Sequence, residues 1–176
     1  MIRSLSVHTA ATTPVFTTDQ MKTFLKVDTT ADDTLIDNLV QAATESCQVY
    51  TNRYFIDTVV IQYSDKWEAL SSLYKSPVDS VSHVKYYDSD DTLQTWASSN
   101  YIVDSSYEPA RITLAVDKSF PSLSDRANAI EVKYTVGYGT SSDDVPEGIR
   151  TAIALTCGNW YANRQSVITG RTATEL

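Results

Sequence analysis

Apolar residues recur every three or four positions near both ends of the chain and every second position in its middle. Residues 1–13 are small and polar without a period, which predicts an extended arm. Thr17-Thr18-Asp19-Gln20 has the form of a capping box, with Thr17 as the cap and Gln20 reaching back. Met21, Phe24 and Leu25 follow at helical spacing and predict a short helix ending near Val27. A longer helix is predicted from Asp28-Thr29-Thr30. Its apolar positions are Leu35, Ile36, Leu39, Val40, Ala43, Cys47, Tyr50 and Tyr54. Steps of three and four turn one stripe toward a core. Asp32 and Asp33 fall in its first turn and Arg53 in its last, as the helix dipole favours.

From about Ile56 the period becomes two. Val59, Ile61 and Tyr63 lie on one side of a strand. Ser76-Pro77 breaks the chain before a strand from Val81 to Tyr87. Asp88-Ser89-Asp90-Asp91 is a turn, and Thr92 to Trp96 returns as the hairpin partner. Tyr101 to Asp104 and Arg111 to Ala115 predict two more strands. Ile130, Val132, Tyr134 and Val136 alternate with Glu131, Lys133 and Thr135, which implies an antiparallel sheet with one wet face. Asp144 is a good cap for a last helix, with Pro146 in its first turn and Ile149, Ile153, Cys157 and Trp160 as its stripe. Gly158 inside that stripe suggests a close helix crossing.

Neither end can bury its stripe alone, so the terminal helices must pack together. The expected fold is α+β: a small helical bundle of two N-terminal helices and a C-terminal one, with an inserted antiparallel β-sheet region. The expected organisation is a single domain. Its helical core is 17–55 and 145–165, its β insertion 56–144, its arm 1–13 and its tail 165–176.

Composition narrows the function classes. The 176 residues carry a net charge of −8. That argues against a grip on nucleic-acid phosphates or an anionic membrane surface. No apolar run approaches the roughly 20 residues that span a bilayer, and no secretory signal is expected. Cys47 and Cys157 lack metal-type spacing and fit buried thiols in a reducing compartment.

Catalytic signals are sparse. His8 sits in the arm and His83 in a strand, away from the helices that hold the cysteines. The Asp88 cluster lacks the glycine and glutamate of an EF-hand loop, having Leu93 and Ser99 at those places. Gly137-Tyr138-Gly139 lacks the ending of a phosphate loop. Asp143, Asp144 and Glu147 are explained by helix capping. Trp67 and Trp96 fit sheet packing better than exposed sugar platforms. No enzyme activity, metal or cofactor is expected.

Several strings stand in a specific order. They include Thr17 to Asp28, Asp33-Thr34-Leu35-Ile36 through Tyr50-Thr51-Asn52-Arg53, and Ser76-Pro77-Val78-Asp79-Ser80-Val81. Val84-Lys85-Tyr86-Tyr87-Asp88, Tyr101-Ile102-Val103-Asp104 and Pro109-Ala110-Arg111-Ile112 follow. Then come Val132 to Gly139, Asp144 to Arg150, Trp160-Tyr161-Ala162-Asn163-Arg164 and Ala173-Thr174-Glu175-Leu176. Together they resemble the head–tail connector (adaptor, or head-completion) family of tailed bacteriophages, over about Pro14 to Leu176.

The resemblance implies a structural protein of the virion neck, assembled in the bacterial host cytoplasm. It implies a homo-oligomeric ring, typically of twelve copies, between the portal protein and the next neck or tail protein (a stopper or tail terminator). DNA would pass through the channel without sequence-specific binding, and no membrane is involved. It also implies a portal-docking tail made of Gln165, Ser166, Val167, Ile168, Thr169, Gly170, Arg171, Thr172, Ala173, Thr174, Glu175 and Leu176. Two rivals stand beside it. One is a carbohydrate- or receptor-binding virion module that uses the β insertion with Trp67 and Trp96. The other is a small hydrolase with a Cys–His or carboxylate pair.

Overall fold

The computed structural model describes residues 4–163. In chain order the elements are β1 (Ser4–Thr9), α1 (Thr18–Leu25), α2 (Asp33–Thr51), β2 (Thr58–Ser64), β3 (Val78–Tyr87) and β4 (Leu93–Trp96). Then follow β5 (Tyr101–Asp104), β6 (Arg111–Leu114), β7 (Ile130–Val136) and α3 (Glu147–Ala162), with short 3-10 turns between. The main sheet has the order β1-β2-β7-β3-β4, and β5-β6 form a separate pair. All strand pairings are antiparallel. The fold is therefore α+β, as the change of period indicated. No described helix is long and apolar enough to cross a membrane.

The α1 cap forms as its residues dictate. Thr17 Oγ1 accepts the Gln20 amide at 3.2 Å, and Gln20 Oε1 accepts the Thr17 amide at 2.9 Å. Lys26 then turns left-handed and ends the helix.

The start of α2 differs from the expectation at Asp28-Thr29-Thr30. Thr29 Oγ1 accepts the Ala31 amide at 3.1 Å, a local bond that competes with helix formation. The helix begins only at Asp33. Its end also differs, because Asn52 adopts a left-handed conformation. Tyr54 and Arg53 thus lie beyond the helix, and Tyr50 points to solvent at 92% exposure.

Asp144 does not cap α3. It closes a 3-10 turn over Ser142–Asp144, where its carboxylate accepts the Ser141 amide at 2.9 Å. Pro146 stands at the cap position instead.

Two apolar clusters hold the chain. One gathers Val60, Val84, Val132 and Tyr134 under the sheet, with Leu70, Leu73 and Ile112. The other gathers Met21, Ile36, Val40, Ala43, Ile153 and Cys157 of the three helices, with Phe55, Ile56 and Val145. Residues 4–9 of the arm are extended and form the sheet's edge strand against β2.

Candidate assembly surfaces

Trp67 and Trp96 are core residues. Trp67 is 7% exposed and Trp96 4%, and their ring centroids are 4.7 Å apart. Trp67 donates its indole N–H to the Pro121 carbonyl at 2.9 Å, and Phe120 stacks on it at 5.2 Å. Neither ring offers a face on which a sugar could stack, so the binding-module reading loses its platforms.

The nucleophile candidates are not brought together into a dyad by any contact. His83 on β3 pairs with Glu131 on β7 at 3.0 Å. Cys47 is half-buried on α2 and Cys157 is buried on α3. Burial pushes both thiols up, which keeps them protonated and poor nucleophiles at neutral pH.

Asp88 organises the β3–β4 hairpin. Its carboxylate accepts the Asp90 and Thr92 amides at 3.0 Å each and the Gln94 amide group at 2.8 Å. These bonds, that of Thr92 foremost, hold its carboxyl below the usual range. Among the described residues no cluster of His, Cys, Asp and Glu could hold a metal ion.

Gly137 and Gly139 serve close backbone approach. The Asp57 amide donates to the Gly139 carbonyl at 2.9 Å, and the Tyr138 amide to the Phe55 carbonyl at 3.1 Å. A Cβ on Gly137 would stand 2.6 Å from the Asp57 nitrogen, and one on Gly139 would strike the Asp144 carboxylate. Burial raises the Asp57 carboxyl, helped by the carboxylates of Asp79 and Asp144 and opposed by a bond from the Gly139 amide. The same junction holds Arg53. Its guanidinium donates to Tyr138 Oη at 3.0 Å and pairs with Glu108. These contacts couple the end of α2 to the sheet.

An open groove of about 820 Å³ runs between residues 7–18 and α2, lined among others by Pro14, Asp37, Gln41, Thr44 and Tyr54. Elsewhere the surface carries large exposed apolar groups. Val49 of α2 is 77% exposed, Val116 82% and Leu155 of α3 60%.

Two surface features escaped the reading of the sequence. Val59, Ile61 and Tyr63 of β2 face outward, while Val60 and Gln62 face the core. Gln62 is tolerated there because its Oε1 accepts the Tyr74 amide at 2.8 Å and the Tyr134 hydroxyl at 3.1 Å. On α2 the apolar set divides into two stripes, of which only Ile36, Val40 and Ala43 are buried. The tail expected to dock on the portal, Gln165 to Leu176, lies outside the described residues.

Comparison with known structures gives a consistent picture of the fold. The neck of an empty GTA particle computed with C6 symmetry superposes with a TM-score of 0.78 at 17% identity, over 97% of this chain and 89% of that one. A chain from the virion of the native gene transfer agent (GTA) particle gives 0.77 at 17% identity, over 96% and 89%. The neck of the native GTA particle computed with C12 symmetry gives 0.71 at 17% identity, over 96% and 88%. A search of curated proteins found no match. The family described as Head completion protein matches residues 14–174, nearly the whole described fold and most of the tail. On that match the chain belongs to the head completion protein family.

Proposed function

We propose that the chain is a structural protein of a phage-type virion neck. Copies form a closed ring of twelve that joins the portal to the next neck or tail protein and extends the DNA channel. The observation that carries this reading is the family match over residues 14–174. The likeness in fold to neck chains, one of them from a particle computed with C12 symmetry, supports it.

The chain acts as a single connector domain. Its helical core is 17–55 and 145–165, and its β insertion is 56–144. The role is one of assembly, and no covalent chemistry is assigned to it. The distal partner is a stopper or tail terminator, and assembly takes place in the host cytoplasm. DNA is passed and not held, because a surface of net charge −8 repels phosphates.

The tail Gln165 to Leu176 is the portal-docking element. The experiment is co-sedimentation with the portal protein of full-length chain and of a chain ending at Asn163. The full chain co-sediments and the truncated chain does not. Equal binding by both would remove the docking role from the tail.

A further inference from the structure

The strand β2 turns its more apolar side away from both cores. Val59, Ile61 and Tyr63 are half-buried on the outer sheet face, and none of them joins either apolar cluster. On the same face Lys133 stands in register with Ile61 on one side and His83 on the other. Lys85 stands in register with Glu131, whose carboxylate is engaged by His83. Among the described residues neither lysine has an ion-pair partner. In a chain of net charge −8 this is an apolar strip beside a basic ladder.

The helix α2 carries the matching feature. Beside its buried stripe, Leu35, Leu39, Ala42, Ser46 and Val49 step by four, three, four and three, the spacing of a helix packing seam, with Leu39 at its inner edge also packed on the helical core. Leu35 and Leu39 are half-buried, Ala42 and Ser46 are exposed, and Val49 and Tyr50 are 77% and 92% exposed. The small residues in the middle allow close approach. Glu45 flanks the seam, its carboxylate held by Gln41 at 3.0 Å and, among the described residues, by no cation.

We propose that the outer face of α2 in one copy lies on the outer sheet face of the next copy, and that this contact closes the ring. The inference rests on the ring reading above and names its lateral surfaces. The lengths agree. Leu35 to Tyr50 spans about 24 Å of helix, and the seven residues of β2 span about 23 Å of strand.

The charges also decide the symmetry. Two α2 faces brought together would oppose acid to acid, and two sheet faces would oppose lysine to lysine. Only one face of each kind is complementary, so the contact is head-to-tail. Such contacts build rings when the rotation closes, whereas a self-complementary patch stops at a dimer.

The test uses the full-length chain in sedimentation velocity, alone and with portal protein, at moderate ionic strength. Wild type forms rings. Val49→Asp with Tyr50→Asp loses at least tenfold in assembled fraction, and so does Lys85→Glu with Lys133→Glu. All four positions are exposed or half-buried, and circular dichroism and melting temperature report that each monomer is folded. Adding Glu45→Lys to the double lysine variant exchanges the charges and restores assembly.

Rings formed equally well by both double variants would overturn the proposed contact while leaving the ring reading intact. Loss in only one of the two, or no recovery on charge exchange, would overturn the pairing of these faces. A wild-type chain that forms no ring under either condition would overturn the ring reading and the contact with it.

Discussion

Gly137 and Asp57 show how a single residue fixes the join between helices and sheet. Gly137 has φ 151°, and an added Cβ would lie 2.6 Å from the Asp57 nitrogen and 2.7 Å from its Cα, both rigid backbone atoms. Gly137→Ala is expected to cost about 1–3 kcal/mol or more. At about 2–4 °C per kcal/mol for a chain of this size, thermal melting resolves it. An unchanged melting temperature would show that the two segments separate freely.

Asp57 gives a pH signature. Its folded carboxyl is raised, so the native state binds a proton more tightly than the unfolded chain does. Stability therefore falls as pH rises from the ordinary carboxylate value through the raised one. Asp57→Asn removes that cost. The variant melts above wild type at neutral pH, and the gap closes as pH falls below the ordinary carboxylate range. A variant less stable than wild type at neutral pH would contradict this. The sequence showed the glycines but not the reason for them, because Asp57 and Gly139 meet only through tertiary contact.

At the scale of elements, local chemistry was legible where it acts within one turn. The Thr17–Gln20 box and the Asp88 hairpin follow from their own residues and occur as read. Reading failed where a short side-chain bond or a left-handed residue moved a boundary, as at Thr29 and Asn52. It failed again at Asp144, whose carboxylate closes a 3-10 turn before α3 begins. Periodicity also could not say which side of β2 faces the core, since Gln62 is satisfied by Tyr74 and Tyr134 from elsewhere in the chain. Side chains of α1 do lie against Gly158, as a close crossing would require. A Cβ there would meet Leu25 and Phe24 at 3.5 Å, an ordinary contact distance. Gly158→Ala is thus expected to stabilise the chain by about 0.5–1 kcal/mol, since alanine has the higher helix propensity. Calorimetry checks the sign. A lower melting temperature would mean that α1 sits closer to α3 than these contacts show.

At the scale of the whole molecule, the chain buries Trp67, Trp96 and Cys157 and leaves apolar strips on α2 and on the sheet. A molecule built this way presents surfaces for copies and partners. The fold class was legible because the change of period is strong. The assembly surfaces were not, because an outward apolar stripe and a core stripe look alike in one dimension. Only burial separates Leu35 and Val49 from Ile36, Val40 and Ala43.

The central claim is that this chain builds a neck ring on a portal. Native mass of the full-length protein, alone and mixed with portal protein, tests it most directly. The account predicts a twelve-copy ring, or a portal-bound stack with one copy of this chain per portal subunit. A monomer whose mass is the same with and without portal would contradict it.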